Sequence, residues 1–328
     1  MKISVAMATY NGELFVREQL ESIFAQTRPV DEVVICDDCS IDHTVEIIHE
    51  FIGAHNLAHW SLHINDKNVG YIKNFYSAIA RTTGDIIFLS DQDDIWDVSK
   101  IKVMENIFEQ YSEISALNCA FQKIDHAGVA IKSSAAEEKN NYHLIRETIM
   151  SGELKQISFD VLLLRNISPG CTMAFRRKCC DFYLENASIC SPHDWEINFF
   201  SALTEGTYFY NSKLVNYRIH SNNTIGLASP NGKSFFTMKK DQNFRLIQAE
   251  DQFKKAEIYL NSEWYATLDP KRRALVSRYW RIVKKRAEAL KSRRIGKWLA
   301  ALLYLPDYIG IIGFRAIIGD LIYIIKTR

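Results

Sequence analysis

Apolar and polar residues alternate along the first half of the chain with two different periods, one typical of strands and the other of helices. Short apolar runs bounded by polar residues predict four strands, at Ile3–Met7, Glu32–Cys36, Trp60–Ile64 and Asp85–Leu89. Apolar residues at helical spacing predict three intervening helices, at Glu13–Ala25, Val45–Ile52 and Tyr71–Ala80. Strands that alternate with helices of this length favour right-handed βαβ units and a mainly parallel sheet, and thus an α/β fold.

The pattern becomes less regular after residue 115. It predicts a strand at Ala116–Phe121, a polar and irregular segment over residues 125–160, a helix at Asp194–Leu203 and a strand at Lys213–Arg218. Helical patterns dominate from about Ser234 onward. We therefore divide the chain into a first half-domain over residues 1–115, a second over residues 116–233 and a helical tail over residues 234–328.

Polar side chains follow three of the predicted strands. They are Thr9, Tyr10 and Asn11 after the first strand, Asp37 and Asp38 after the second, and Asp91-Gln92-Asp93-Asp94 after the fourth. In open α/β sheets, ligands bind beyond the carboxyl ends of the strands. We therefore expect these three groups to lie together at one edge of the sheet and to form a binding site.

The third group, which we call the acidic segment (Asp91–Asp94), holds three carboxylates in four positions. Asp91 and Asp93 would point the same way on an extended backbone, and like charges this close need a cation or hydrogen-bond donors. Oxygen ligands suit Mg²⁺ or Mn²⁺, which in turn suits a phosphate-bearing ligand. A solvated turn is the alternative. A calcium EF-hand is excluded, because its sixth and twelfth positions would be Trp96 and Lys102 instead of Gly and Glu.

No glycine-rich phosphate loop follows the first strand, where the chain reads Ala8-Thr9-Tyr10-Asn11-Gly12. Gly232-Lys233-Ser234 resembles the end of a P-loop, but the required upstream glycine is replaced by Leu227. Binding of a diphosphate would therefore depend on a metal held by carboxylates. This favours Asp91 and Asp93 as metal and ribose ligands.

The composition is that of an ordinary globular protein, with 328 residues, 47% of them apolar and 24% charged. Seven cysteines without zinc-like spacing predict reduced thiols in a cytosolic protein, and a strand pattern from Ile3 onward leaves no room for a signal peptide.

The charge is unevenly distributed along the chain. Residues 1–270 carry 25 basic and 36 acidic side chains, a net charge of −11, whereas residues 271–328 carry 15 and 3, a net charge of +12. The basic tail predicts an anionic partner.

The tail combines this charge with broken apolar stretches. Residues 271–297 hold twelve Lys and Arg and a single acid, and the apolar stretches after them are interrupted at Pro306, Asp307, Arg315 and Asp320. Each piece is shorter than the roughly 20 residues of a membrane-spanning helix. We expect two amphipathic helices lying on an anionic membrane surface, with aromatic residues at headgroup depth, namely Trp298, Tyr304, Tyr308 and Tyr323. The alternative is a helix pair packed on the catalytic body or on a second subunit of a homodimer. Nucleic acid is not an expected partner, because the apolar half of the tail would not contribute to binding it.

The polar groups at the strand ends, together with their flanking residues, resemble family-2 glycosyltransferases of the GT-A fold. The matching stretches span roughly the first 100 residues and are Ser4–Gly12, Asp37–Asp42, Asn68-Val69-Gly70 with Asn74, and Asp91–Asp94. Three further stretches resemble the subgroup that includes bacterial rhamnosyltransferases, namely Phe88–Trp96, Pro192–Trp195 and Tyr217–Asn223. One departure is Cys39, where the family usually has Gly or Asn. We expect this change to be tolerated if that backbone is not left-handed.

The resemblance implies a Rossmann-like GT-A sheet with a C-terminal helical extension, a donor-binding first half and an acceptor-binding second half. Residues implied in nucleotide-sugar binding are Thr9, Tyr10, Asn11, Asp37, Asp38, Asn68, Gly70, Asn74, Asp91 and Gln92. Asp91, Asp93 and His220 are implied as ligands of Mg²⁺ or Mn²⁺. Asp194, at the start of a helix, is implied as the general base, with a simple helix cap as the alternative. His193 is expected to orient its neighbour.

The predicted function is therefore an inverting, metal-dependent glycosyltransferase. Its donor would be a nucleotide diphosphate sugar such as dTDP-rhamnose, and its acceptor a cell-surface polysaccharide, lipid-linked and reached from the cytoplasmic face of the plasma membrane. The alternative is a nucleotide-sugar-binding subunit or regulator without turnover. A nucleotidyltransferase is disfavoured, because it would need a Gly-rich basic loop where this chain has Thr9-Tyr10-Asn11-Gly12-Glu13.

Overall fold

A computed structural model describes residues 1–142, 144–189, 191–220 and 244–326. The chain divides into two compact units, Met1–Asn222 and Asn223–Arg328. The segment Gly232-Lys233-Ser234, the predicted boundary after residue 233 and the last three residues of the Tyr217–Asn223 motif lie outside the described residues. The three-part division of the chain stays a prediction.

The first unit is built on a single twisted layer of strands. Its strands are β1 (Ile3–Thr9), β2 (Glu32–Asp37), β3 (Trp60–Ile64), β4 (Ile86–Ser90), β5 (Ile95–Trp96), β6 (Ala116–Ile124), β7 (Leu154–Gln156), β8 (Met173–Arg176) and β9 (Thr207–Arg218). Within the described residues they form one sheet in the order β3-β2-β1-β4-β8-β6-β9-β5, and β7 pairs with β9.

The sheet is mainly parallel, as predicted. Strands β3, β2, β1 and β4 are parallel to one another, and β6 is parallel to β9. Strand β8 lies between β4 and β6 and runs antiparallel to both, while β5 and β7 run antiparallel to β9. The sequence did not reveal β8, because its four residues are too few to show a period and three of them are buried.

Helices connect these strands. They are α1 (Val16–Phe24), α2 (Thr44–Ala54), α3 (Tyr71–Arg81), α4 (Lys100–Gln110), α5 (Ala135–Lys139), α6 (Phe159–Leu164), α7 (Arg177–Asn186) and α8 (His193–Ala202), with a short 3-10 turn at Gly170–Thr172. The first three predicted helices are confirmed, although α1 begins three residues late, after a turn in which the Phe15 N–H donates to the Gly12 carbonyl at 3.0 Å. The segment predicted to be irregular, residues 125–160, contains α5 and β7.

The second unit is helical in the described residues. Its helices are α9 (Phe244–Asn261), α10 (Glu263–Thr267), α11 (Pro270–Ser292), α12 (Ile295–Leu302), α13 (Leu305–Ile311) and α14 (Phe314–Lys326). Helix α11 starts where Asp269 accepts a hydrogen bond from the Arg272 N–H and Pro270 occupies the first turn, a position that proline favours. It ends where Arg293 adopts a left-handed conformation with φ of 52°.

One buried carboxylate organises the second unit. Asp320 is fully buried and accepts hydrogen bonds from Arg286 Nε at 2.8 Å, from the Tyr308 hydroxyl at 2.9 Å and from Arg245 at 3.2 Å. The bonds link α9, α11, α13 and α14. Removing one partner of such a buried group typically costs about 3–5 kcal/mol, so Asp320 fixes which side of α14 faces inward.

The predicted depth of the tail aromatics was wrong. Trp298, Tyr308 and Tyr323 are buried in an apolar cluster with residues of α9 and α11, and therefore cannot lie at headgroup depth. Tyr304 is partly buried, with the Arg281 and Lys285 cations over its ring. Tyr308 is turned inward because it is a buried partner of Asp320, and Tyr323 lies one turn from Asp320 on the same side of α14.

The described helices contain no single one that is both long and apolar enough to cross a bilayer. Leu305–Ile311 and Phe314–Lys326 meet the criterion only as a pair, and they are bent by 102° at the break between them. The apolar part of the tail after Arg294 is therefore broken into short helices, as the sequence predicts, although three are present in the described residues where two were expected.

Cys39 lies in the left-handed region of backbone conformation, with φ of 65°. Tolerance of this residue was expected only for a backbone that is not left-handed, and this condition is not met. A side chain in that conformation costs roughly 1–2 kcal/mol relative to glycine. The turn after β2 therefore carries local strain.

We predict that Cys39→Gly stabilises the protein by about 0.5–1 kcal/mol. Relief of the left-handed strain exceeds the loss of roughly 0.5–1 kcal/mol that glycine causes through greater freedom of the unfolded chain. Urea unfolding of both proteins would measure the difference. As a control, Glu21→Gly inside α1 should destabilise by about 1 kcal/mol. A lower free energy of unfolding for Cys39→Gly would contradict the strain.

Candidate active site

The carboxyl ends of β1, β2 and β4 are neighbours. Thr9 pairs with Asp37 across β1 and β2, and Met7 pairs with Ser90 across β1 and β4. The three polar groups that follow these strands therefore begin side by side. Their predicted meeting at one edge of the sheet is confirmed.

Asp37 shapes the turn after β2. It is fully buried, and its carboxylate accepts hydrogen bonds from the Thr9 hydroxyl at 2.8 Å, from the Ser40 N–H at 2.8 Å and from the Ser40 hydroxyl at 2.6 Å. The Thr9 side chain is thereby turned toward protein, with 1% of its surface exposed. Asp37 thus orders the pocket wall, and the predicted contact of Thr9 with a nucleotide stays a prediction.

Asp38 holds the loop before α3. Its buried carboxylate accepts hydrogen bonds from the Val69 N–H and the Gly70 N–H, each at 2.8 Å, and from the Asn65 amide at 2.9 Å. Bonds to an ionised acceptor are stronger than those between neutral groups, so this loop is firmly placed. Gly70 has a φ of 84°, which a residue with a side chain rarely adopts. A ribose contact by Asp38 is not tested by this arrangement.

Two asparagines complete that corner. The Asn74 side chain donates to the Cys36 carbonyl at 2.8 Å and accepts from the Asn65 amide at 3.0 Å. Asn68 accepts from the Gly70 N–H at 3.1 Å. These predicted donor-binding residues are thus gathered at the end of β2, where they fix the backbone that borders the site.

Gln92 joins the acidic segment to the end of β1. Its side chain accepts from the Tyr10 N–H at 2.8 Å and donates to the Tyr10 carbonyl at 2.9 Å. A Cβ atom on Gly12 would collide with the Gln92 amide, so a larger residue there would displace this side chain from Tyr10. Asn11, in a left-handed conformation that asparagine tolerates, accepts from the Ile41 N–H at 3.0 Å. The Tyr10 ring is left exposed at the mouth of the site.

The acidic segment does not continue β4. The strand ends at Ser90 and the chain bends at Gln92 and Asp93, so the alternation expected of an extended backbone does not hold. The sequence paired Asp91 with Asp93 on that basis. In the structure, the neighbour of Asp91 is Asp94, which is fully buried.

Only one oxygen of the Asp94 carboxylate has a hydrogen-bond partner among the described residues. Its Oδ1 accepts a hydrogen bond from the Arg218 N–H at 3.0 Å, whereas Oδ2 is buried and has no hydrogen-bond partner among the described residues. Burial and repulsion by Asp93 raise the pKa of Asp94 to about 7. Burial and repulsion by Asp94 and Asp93 likewise raise the pKa of Asp91. A cation would relieve both the desolvation and the repulsion.

Ligand atoms of Asp91, Asp94 and Cys171 lie within 4.8 Å of one another and could surround a metal ion. The two carboxylates fit a hard divalent cation. The thiol does not, since burial keeps the pKa of Cys171 well above its ordinary value and a neutral sulfur is a poor ligand for Mg²⁺ or Mn²⁺. The donors that fit such a cation are therefore the carboxylate oxygens of Asp91 and Asp94.

Asp93 and His220, two of the predicted metal ligands, are bonded to each other. Asp93 Oδ2 and His220 Nε2 are 2.8 Å apart, and both side chains are mostly buried. The Phe15 ring lies against His220, with 4.9 Å between ring centroids. A cation bound by either residue would have to compete with this bond, so the structure favours Asp91 and Asp94 over this pair.

Arg218 is a site residue that the sequence did not reveal as such. It is fully buried, its Nε donates to the Asp93 carbonyl at 2.8 Å, and another guanidinium nitrogen contacts Glu18 at 2.6 Å. Together with the bond from its N–H to Asp94, these contacts hold the acidic segment in its bent form. Arg218 is 124 positions from Asp94 along the chain, and only the pairing of β9 beside β5 brings them together.

Asp194 lies in the first turn of α8 and is 7% exposed. It accepts hydrogen bonds from the Asn166 amide at 2.8 Å and from the Trp195 N–H at 2.7 Å. Burial raises the pKa of Asp194 to about 6, against the opposing effect of these bonds. Its charge contributes to the raised pKa of Asp91, so the two carboxylates are close enough to interact. The structure thus brings the predicted base to the acidic segment.

His193 is packed as an aromatic ring. It stacks on Phe75 with 3.9 Å between ring centroids, and burial lowers the pKa of His193 to about 3. Neither ring nitrogen has a hydrogen-bond partner among the described residues. A neutral imidazole of this kind cannot compete with Asp194 for a proton at neutral pH. The expected orienting role of His193 stays a prediction.

Comparison with known proteins extends these findings. The model of the family described as Glycosyl transferase family 2 matches residues 4–179. The dTDP-rhamnosyl transferase RfbG of Shigella flexneri is 30% identical over 231 residues, which are 67% of this chain and 73% of that protein.

Solved structures show the same fold at lower identity. Staphylococcus aureus TarS in complex with UDP-GlcNAc is 19% identical, with a TM-score of 0.58 over 98% of this chain and 82% of that one. The mannosyltransferase PcManGT of Pyrobaculum calidifontis, in complex with GDP-Man and Mn²⁺, is 14% identical, with a TM-score of 0.54 over 100% of this chain and 88% of that one. Because the family model matches more than half of the chain and RfbG matches two thirds of it, the chain belongs to glycosyl transferase family 2 and is a glycosyltransferase.

Proposed function

We propose that this glycosyltransferase is inverting and metal-dependent, and that it moves a sugar from a nucleotide diphosphate donor to a lipid-linked precursor of a cell-surface polysaccharide. The observation that carries the proposal is the close pair of carboxylates, Asp91 and Asp94, whose oxygen atoms lie within 4.8 Å of each other at the carboxyl edge of the sheet. The names of the relatives support the substrates. RfbG is described as a dTDP-rhamnosyl transferase and TarS as a poly(ribitol-phosphate) N-acetylglucosaminyltransferase, so dTDP-rhamnose is the first donor to test.

Donor binding would depend on the acidic segment. A divalent cation held by Asp91 and Asp94, with Asp93 beside them, would neutralise the diphosphate and stabilise it as a leaving group. Arg218 holds the segment from the protein side through the Asp93 carbonyl and the Asp94 carboxylate. Gln92 fixes its position relative to Tyr10, whose exposed ring is available to a nucleotide base.

Acceptor activation would depend on Asp194. With a pKa of about 6, its carboxylate is ionised at neutral pH and can accept the proton of an acceptor hydroxyl as the diphosphate departs. The Asn166 amide holds one carboxylate oxygen and the Trp195 N–H holds the other. Attack on the face of the sugar opposite the leaving group would invert the anomeric configuration.

A donor panel tests the proposal. Purified full-length protein would be incubated with Mn²⁺ or Mg²⁺ and with dTDP-rhamnose, UDP-, GDP- and other dTDP-sugars, and release of nucleoside diphosphate would be measured. We expect turnover of one donor that ceases on addition of EDTA and returns with excess metal. Unchanged turnover in EDTA would refute metal dependence. Binding of a nucleotide sugar without any release would favour the alternative of a regulator without turnover.

We predict that Asp194→Asn lowers kcat by about 10²–10⁴ and changes the donor affinity little. The amide keeps the shape of the carboxylate but cannot accept the proton, and general-base assistance has this magnitude. Transfer kinetics and donor titration calorimetry would measure the two quantities. Asp160→Asn, in the first turn of α6 and exposed, is the matched control and should keep normal kcat. Loss of donor binding in Asp194→Asn would place this residue in the donor site instead.

We predict a loss of activity as the pH falls through about 6. Only the ionised form of Asp194 is a base, and its raised pKa of about 6 sets the point at which half of it is protonated. The logarithm of kcat/KM should therefore rise with a slope of one below about pH 6 and level off above it. Rates measured from about pH 5 to about pH 8 that show no such change would argue against Asp194 as the base.

We predict that Asp91→Asn and Asp94→Asn each weaken Mn²⁺ binding by at least about 10–100-fold, because each removes an ionised oxygen ligand from a site with few others. Mn²⁺ titrations followed by electron paramagnetic resonance would measure the affinity directly. Asp66→Asn, an exposed acid on the loop after β3, is the control. If Asp93→Asn weakened binding and Asp91→Asn and Asp94→Asn did not, the pair Asp93 and His220 would be the metal site.

A further inference from the structure

Helix α14 carries large apolar residues on two opposite sides. Its inner side carries Ile317, Asp320 and Ile324, all buried in the core of the second unit. The opposite side, which we call the outer face, consists of Phe314, Ile318, Ile322 and Ile325, exposed by 61%, 49%, 46% and 55%. These four residues recur at intervals of four, four and three, so they form one stripe along the helix. Solvated helices normally place charged residues on such a side.

Cations flank this apolar stripe. Arg315 and Lys326 are exposed at the two ends of α14, while its single acid, Asp320, is buried and paired with Arg286. Residues 293–326 contain one further acid, Asp307, which lies 3.6 Å from Arg278. The outer face therefore combines exposed apolar side chains with uncompensated positive charge.

Helix α12 repeats this combination. Leu299 and Leu303, one turn apart, are 53% and 82% exposed. Arg294 and Lys297 are exposed at its start. Two short helices with apolar outer sides and exposed cations are the composition of elements that lie in a membrane interface, with the cations at the level of the headgroups.

The Asp320 hydrogen bonds determine how these helices can meet a bilayer. They hold the inner side of α14 against α11, so insertion of α13 and α14 as a spanning pair would expose or separate buried charges. The outer face is free of this constraint. It can enter the headgroup region while the inner side stays folded on its own unit.

We propose that the outer face of α14 docks in the plane of an anionic lipid bilayer. A second copy of this chain is the main competing occupant of an exposed apolar face. Charge decides between the two, because two copies would bring the net charge of +12 of residues 271–328 against itself, whereas an anionic bilayer complements it. The proposal concerns a surface outside the donor site and does not depend on the donor or on metal.

Vesicle sedimentation of the full-length protein tests the proposal. The protein should sediment with vesicles of phosphatidylcholine and phosphatidylglycerol at low salt, remain in solution with pure phosphatidylcholine vesicles, and be released by high salt. The double variant Ile318→Glu, Ile322→Glu should lower the partition coefficient by about tenfold or more. Val129→Glu, which places one such negative charge at a 61% exposed apolar residue of the first unit, should bind vesicles like the unsubstituted protein.

A second variant guards against loss of fold. Arg315→Glu with Lys326→Glu leaves the apolar stripe intact and should weaken binding to anionic vesicles, with an unchanged melting temperature and unchanged donor hydrolysis. Failure of the unsubstituted protein to sediment with anionic vesicles would overturn the proposal. So would normal vesicle binding by both variants. Light scattering that shows a dimer, converted to a monomer by Ile318→Glu with Ile322→Glu, would identify the outer face as a subunit interface and equally overturn it.

Discussion

Repulsion among the carboxylates that follow β4 is the constraint around which the first unit is arranged. Two buried cations approach them without neutralising all of them. The Arg218 guanidinium donates to the Asp93 carbonyl and pairs with Glu18, and it is the backbone N–H of Arg218 that donates to the Asp94 carboxylate. Lys100 donates to the Cys171 carbonyl at 2.6 Å and lies over the Trp96 ring. Burial lowers the pKa of Lys100 to about 8, which shows how poorly this interior supports charge. One oxygen of Asp94 still lacks a partner among the described residues. A divalent cation, as proposed above, would supply what these two residues do not, and would link the architecture of the sheet to chemistry on a diphosphate.

Much of this could be predicted from the sequence, for definite physical reasons. The strands β1, β2 and β4 are parallel and buried, so each appears as a short apolar run followed at once by polar residues at the ligand-binding edge. The bend after Ser90 could not be predicted, because it depends on Arg218, a residue far along the chain that donates two hydrogen bonds to the acidic segment. That bend replaces Asp93 by Asp94 as the neighbour of Asp91. Strand β8 was not predicted for a related reason, since its position between β4 and β6 is set by tertiary pairing and not by a hydrophobic period of its own.

The structure of the tail was likewise predictable only in part from the sequence. Charge and hydrophobicity correctly predicted short amphipathic helices, but they could not show which side of each helix faces inward. For α13 and α14 that choice follows from Asp320, whose burial requires Arg286 and Tyr308 and places Tyr308 and Tyr323 in the core. What remains outside is an aliphatic stripe with cations at its ends. A glycosyltransferase with a lipid-linked acceptor would benefit from such a surface, because both reactants would then share one plane.

The most direct measurement of the central claim is anomalous diffraction from crystals of the full-length protein grown with Mn²⁺ and a nucleoside diphosphate. We expect one manganese peak at bonding distance, about 2.0–2.2 Å, from carboxylate oxygens of Asp91 and Asp94, with the diphosphate completing the coordination and Asp194 facing the side away from the nucleotide. A nucleotide bound at this edge of the sheet without manganese, or manganese bound elsewhere, would contradict the claim that the carboxylates after β4 are arranged to hold a metal–diphosphate pair.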